Sequence, residues 1–375
     1  MKTESETVFD EILENIENGL VREAMGEGRI PIGYTCSQVP EPLLSVGNLF
    51  PLRLRAPGIA GTELADIYLP PIICTYCRSL LEYGMEGHYD FIGGWVFSFS
   101  CQHMNRCYDN VRHAVKPSFV HVLDTLHTLT ESTTSWMADE LKILADRLSS
   151  HFDVEIREDS LSKAIAEHNR FASLLREIGD LRKLDNPPLT GTEFHKLMIS
   201  SQAAPKDLLQ KEVERFREEI AKRNGMEDYR ARLMVLGGVL DDPGYVEIIE
   251  ETGGLVVADH FCTGSFSMLE MIPERAEDPF VRLARHSLSR PCPRMIDRFD
   301  IRLNAILESA KAYDVDGVII QQLKFCDPMN AYGKVMMDCL QEAGLRVLRL
   351  DREYRLSGEG QLRTRVQAFI ESLGK

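Results

Sequence analysis

The order of apolar runs constrains this chain most. Short runs such as 91-FIGGWVFSF, 232-RLMVLGGVL, 255-LVVADH, 317-GVIIQQL and 346-RVLRLD are each followed by a segment of helical periodicity. Runs of this length suit strands buried on both faces, and strands separated by helices must pair in parallel. The alternation occupies both ends of the chain. Between residues 132 and 229 strand signals vanish, charges are dense and apolar residues recur at three and four, as in 160-SLSKAIAEHNRFASLLREIGDLRKL. The expected fold is α/β: two Rossmann-like lobes with parallel sheets, linked by a helical segment, with bounds of 1–131, 132–229 and 230–375. The first thirty residues read as one helix carrying Val8, Ile12, Ile16, Leu20 and Ala24 on its apolar face.

Composition excludes several functions. A net charge of −15 argues against a nucleic-acid partner, because phosphate binding needs clustered cations. No apolar run reaches bilayer length, and the charged start MKTESETVFDEILENIENGL has no apolar stretch of the kind that exports a protein. The expectation is a cytoplasmic protein with no membrane partner. In that compartment the nine cysteines are reduced thiols: core filler, metal ligands or redox groups.

Cys74 lies just before a helix in PPIICTYCRSLLEYG, with Cys77 completing a C-x-x-C pair. Cys101 follows the strand WVFSFS, and Cys326 follows GVIIQQLKF ahead of Asp327-Pro328. Ligands of open α/β sheets collect at the carboxyl ends of strands, so Cys101 and Cys326 can face one cleft, one from each lobe. Any one of these thiols alone reads better as packing. A second C-x-x-C pair, which zinc sites usually show, is missing. Iron–sulfur ligation needs thiolates that converge in space, with no compact spacing in sequence. Cys36, Cys262, Cys292 and Cys339 stand in no motif and read as structural.

The strings LPPIICTYCRSLLEYGMEGHYD, SFSCQHMNRCYDN and GVIIQQLKFCDP, with PIGYTCSQVPEPLLSVGNLFPLRL near the start and RTRVQAFIESL at the end, resemble the 2-hydroxyacyl-CoA dehydratase and benzoyl-CoA reductase family. The LEYG and KFCDP segments look like its smaller, β-type subunit. The resemblance implies that Cys74, Cys101 and Cys326 hold a [4Fe-4S] cluster. Cys77 and Cys107 are extra thiols beside it, which leaves a double-cubane [8Fe-9S] centre open. One departure is Gln102, where the family usually has aspartate.

Further implications are a paralogous larger subunit as heterodimer partner, an ATP-dependent iron–sulfur activator and an acyl-CoA substrate. The implied chemistry is radical. One electron added to the thioester carbonyl gives a ketyl that expels the 2-hydroxyl, and the β-proton then becomes acidic enough for an ordinary base. No G-x-x-x-x-G-K-[ST] loop is present, consistent with ATP hydrolysis on another protein. No catalytic base is identifiable. Glu82 and His103 lie close to the cysteines. Arg53 and Arg55 are candidates for CoA phosphates or a solvated strand face. Within the family, ring reduction of the benzoyl-CoA type and small-molecule reduction are the alternatives. From another class, the alternative is a non-catalytic α/β binding or scaffold protein.

Overall fold

The computed structural model describes residues 4–265, 269–274, 277–292 and 294–374. Two four-stranded, fully parallel sheets form the frame. The first is ordered β2-β1-β3-β4, from β1 (Ile30–Tyr34), β2 (Leu49–Arg53), β3 (Gly94–Ser98) and β4 (Val120–Leu123). The second is ordered β6-β5-β7-β8, from β5 (Ala231–Gly237), β6 (Gly254–His260), β7 (Gly317–Leu323) and β8 (Arg346–Arg352). The two orders are the same pattern repeated. In each, the chain reverses direction across the sheet beside the first strand, between β1 and β3 and between β5 and β7. That reversal opens a crevice at the carboxyl ends of those strands.

The amino-terminal stretch divides into α1 (Glu4–Glu14) and α2 (Gly19–Gly26) instead of running on as one helix. Two interactions account for the break. The Arg55 guanidinium donates to the carbonyls of Leu13 and Ile12 at 2.8 and 2.9 Å, taking acceptors that a continuing helix would need. Asn18 then caps α2 by accepting from the Val21 N–H. Residues 1–3 of that reading lie outside the described residues.

Further along, α3 (Thr75–Met85) and α4 (Gln102–Asn110) cover the first sheet, and α5 (Glu131–Phe152) to α8 (Lys206–Ile220) make the helical region, with α6 at Glu158–Asp180 and α7 at Gly191–Ala203. The second sheet carries α9 (Gly244–Glu251), α11 (Phe299–Ala312), α12 (Asp327–Glu342) and α13 (Glu359–Ser372). Between them, α10 (Pro279–Ser289) crosses back and buries Phe280, Leu283 and Leu288 against α5 and the first sheet. Beyond it Arg290 donates to Ser37 O at 2.8 Å and Arg294 to Phe99 O at 2.7 Å, so this strap ties down the carboxyl edge of the first sheet.

His195, on α7, supports the turn after β5. It is 2% exposed, and its Nε2 lies 2.8 Å from Leu240 O. Burial pushes its pKa down to about 4. A depressed imidazole stabilises the fold fully above its ordinary value near 6.5 and loses that contribution as pH falls toward 4, on the order of 3 kcal/mol for this site. Glutamine at 195 places an amide N–H near the same carbonyl and does not titrate. His195→Gln is therefore expected to show a smaller drop in urea midpoint between pH 7 and 4.5 than the wild type; equal drops would contradict the assignment.

Candidate functional site: three helix starts and their thiols

Cys74, Cys101 and Cys326 are the N-cap residues of α3, α4 and α12. The Cys101 thiol accepts a capping hydrogen bond in the first turn of its helix, and Cys74 and Cys326 stand at their helix starts without one. An N-cap side chain can accept from the orphan N–H groups of the first turn, and the helix start carries partial positive charge. The Met104 N–H donates to Cys101 Sγ at 3.4 Å.

The three come together across the two lobes. Cys74, Cys77 and Cys107 belong to one buried apolar cluster with Tyr76, Leu80, Trp95 and Phe97, and with Leu323 and Tyr354 of the second lobe. Cys101 and Cys326 pack against it. Two backbone features aim Cys326. Phe325 holds a left-handed φ of 62°, which turns the chain sharply out of β7. Gly238, just past β5, has no side chain where a Cβ would stand 3.9 Å from Cys326 Sγ.

His103 links the three starts. The Cys74 N–H donates to its Nδ1 at 3.1 Å, and its Nε2 lies 3.3 Å from Asp327 Oδ2, next to Cys326. His103 itself sits two residues after Cys101. It is a latch within the site, and neither a surface histidine nor a free donor.

The thiols differ in acidity. A hydrogen bond from the Cys77 thiol holds Cys74 below the usual thiol range, with first-turn N–H groups adding to the effect. Burial pushes Cys101 up to about 11 and Cys326 well above the ordinary value. Cys107 is also raised by burial, and its S–H donates to Cys77 O at 3.4 Å. Buried thiolates are costly without a cation, and a thiol-ligated metal removes the proton outright.

The donor set fits an iron–sulfur cluster. It is all thiol, its surroundings are apolar, and three helix starts favour the negative charge that such a cluster carries. Among the described residues no three His, Cys, Asp or Glu side chains group closely enough to hold a single metal ion. A cluster spreads its thiolates over separate irons, so the two observations are compatible.

Other residues prove structural. Arg53 and Arg55, each 4% exposed, are no solvated strand face. Arg53 donates to Gln202 Oε1 at 2.8 Å and Cys262 O at 2.7 Å, and Arg55 ends α1; neither is offered to a phosphate. Glu82, 3% exposed, accepts from the Leu64 and Ala65 N–H groups at 3.1 and 2.6 Å, so it caps a short helical turn. Gln102 is exposed on α4. Cys339 sits half-buried on α12, away from any motif. Cys36, read as structural, follows β1 at the carboxyl edge of the first sheet and is partly buried.

A profile of the family described as 2-hydroxyglutaryl-CoA dehydratase, D-component, matches residues 36–373. The chain is 26% identical to the (R)-phenyllactyl-CoA dehydratase beta subunit of Clostridium sporogenes, with 97% of each chain covered. It is also 26% identical to a putative dehydratase subunit of Escherichia coli, with 99% of each covered. Identity to the lactoyl-CoA dehydratase subunit beta of Anaerotignum propionicum is 22%, with 92% of each covered.

Proposed function

This chain belongs to the 2-hydroxyglutaryl-CoA dehydratase, D-component, family, and from that premise we propose that it is the smaller, iron–sulfur subunit of a 2-hydroxyacyl-CoA dehydratase, with Cys74, Cys101 and Cys326 holding a [4Fe-4S] cluster. The observation that carries this reading is the meeting of three N-cap thiols, two from one lobe and one from the other, in one apolar site.

A bound cluster would supply one low-potential electron to the acyl thioester and recover it after water has left. The chain's own groups bind and orient. Cys74, Cys101 and Cys326 would hold the cluster, each as a thiolate at the start of its helix. The apolar shell of Trp95, Leu80 and Leu323 keeps water away and the local dielectric low. Cys77 and Cys107 spend their thiol protons on hydrogen bonds to Cys74 and to the Cys77 carbonyl, which favours one cubane over a double-cubane centre.

The proposed partners are a paralogous larger subunit, an ATP-dependent iron–sulfur activator and an acyl-CoA, in a cytoplasmic setting. Apolar side chains around the cysteine loops support a protein partner: Ile67 is 73% exposed, Ile72 64% and Phe325 44%. No helix among the described residues is long and apolar enough to cross a membrane.

Anaerobic purification with iron and acid-labile sulfide analysis tests the reading. About four irons and four sulfides per chain are expected, with an EPR signal on reduction. About eight irons would favour the double-cubane alternative, and none would refute the iron–sulfur reading.

A further inference from the structure

We infer that the small cavity where β1, α6 and the segment after α10 meet is a binding site for one monovalent anion of halide size, chloride being its ordinary occupant. The inference goes beyond the dehydratase reading and does not depend on it.

The cavity holds about 20 Å³ beside the carboxyl ends of β1 and β2, and Tyr34, Glu41, Arg53, His168, His286 and Arg290 supply its polar groups. That is room for one water-sized particle and too little for a phosphate. Glu41 is the one carboxylate among the described residues that line it, and both its oxygens are taken. Tyr34 Oη donates to Oε1, and Lys206 Nζ donates to Oε2. Lys206 therefore balances Glu41. Arg53 and Arg290, 4% and 6% exposed, have no ion pair among the described residues. A buried cation with no anion is costly.

Three donors around the cavity also lack acceptors. Arg290 donates through Nη1 to Ser37 O at 2.8 Å and through Nη2 to His286 Nε2 at 3.0 Å. Arg53 spends Nη1 on Gln202 and on Cys262 O. The Nε of each arginine is buried with no partner. His168 supplies the third donor. Its Nδ1 lies 2.9 Å from Lys206 Nζ, a group that only donates, so the ring proton sits on Nε2. That Nε2 is buried without a partner too. Burial, with Lys206 and Arg290 close by, holds the His168 pKa well below its ordinary value, so the ring is neutral. His286 is held down in the same way by burial, Arg290 and His168.

Water answers this arrangement poorly. It has two lone pairs for three donors, its own hydrogens find no free oxygen on Glu41, and it leaves both guanidinium charges uncompensated. A halide carries no hydrogens, accepts from several donors at once and cancels one of the charges. Because the donors come from β2, α6 and the strap beyond α10, a bound anion fastens that strap and the helical region to the first sheet.

The test titrates sodium chloride into the anaerobically purified protein at constant ionic strength, with gluconate making up the balance, and reads the melting temperature. Crystals soaked in bromide are measured alongside. A saturable rise of about 2 °C or more is expected, with a bromide anomalous peak in the cavity. His168→Leu should lose the rise, and His168→Gln, whose amide N–H can stand in for the ring N–H, should keep part of it. No rise with chloride would overturn the inference. A cavity peak without stabilisation would mean an adventitious ion only and would overturn it as well, and an undiminished rise in His168→Leu would put the anion elsewhere. Should His168→Leu fail to fold, the wild-type crystal decides: water density in the cavity and no bromide there refutes the site.

Discussion

Cys326→Ser is expected to leave a folded protein with almost no iron and no cluster EPR signal. Serine is a good N-cap, so the start of α12 tolerates it, and the change in volume is small. The chemistry is another matter. A hydroxyl is a hard, weakly acidic ligand, whereas cluster iron requires soft thiolate. Cys326 is also the one of the three that comes from the second lobe, so its loss leaves a cluster held only by Cys74 and Cys101, from one side. Cys339→Ser, on the same helix but without a motif, serves as the control and should retain full iron. Circular dichroism and melting should be near wild type in both. Wild-type iron content in Cys326→Ser would refute the ligand assignment.

Much of the frame was legible in the sequence, because buried parallel strands are short, apolar and followed by helices. The runs at Leu255, Gly317 and Arg346 are strands, as their length and apolar character predict. Legibility failed where a distant residue decides the local structure. Within the first thirty residues only Asn18-Gly19 hints at the break after α1, and Arg55, which takes the carbonyls that end it, lies outside them. The helix α10 went unread because its apolar face answers to α5, over a hundred residues earlier.

The cysteine site divides the same way. That Cys74 precedes a helix and that Cys101 and Cys326 follow strands could be read directly. Their meeting in one apolar cluster is a product of tertiary packing, which spacing does not encode.

His103→Leu is expected to lose iron to a chelator several-fold faster than the wild type. The latch has two halves of unequal strength. The contact from Nε2 to Asp327 at 3.3 Å involves a carboxylate that is 64% exposed, and such pairs contribute roughly 0–1 kcal/mol. The Cys74 N–H is mostly buried, and leaving it without an acceptor costs about 1–3 kcal/mol. That cost falls on the residue that positions the first thiol. Because Nδ1 accepts a backbone N–H, its lone pair faces Cys74 and a ring proton belongs on Nε2, toward Asp327. Two substitutions separate the halves. Asparagine places a carbonyl oxygen near the Nδ1 position, so His103→Asn should recover most of the cluster's retention. Glutamine reaches the Nε2 position instead, so His103→Gln should restore the lesser half and stay labile. Iron release from His103→Leu at the wild-type rate would mean that packing alone holds the three helix starts together. Equal rescue by asparagine and glutamine would place the weight of the latch on general polarity, and not on the Cys74 N–H.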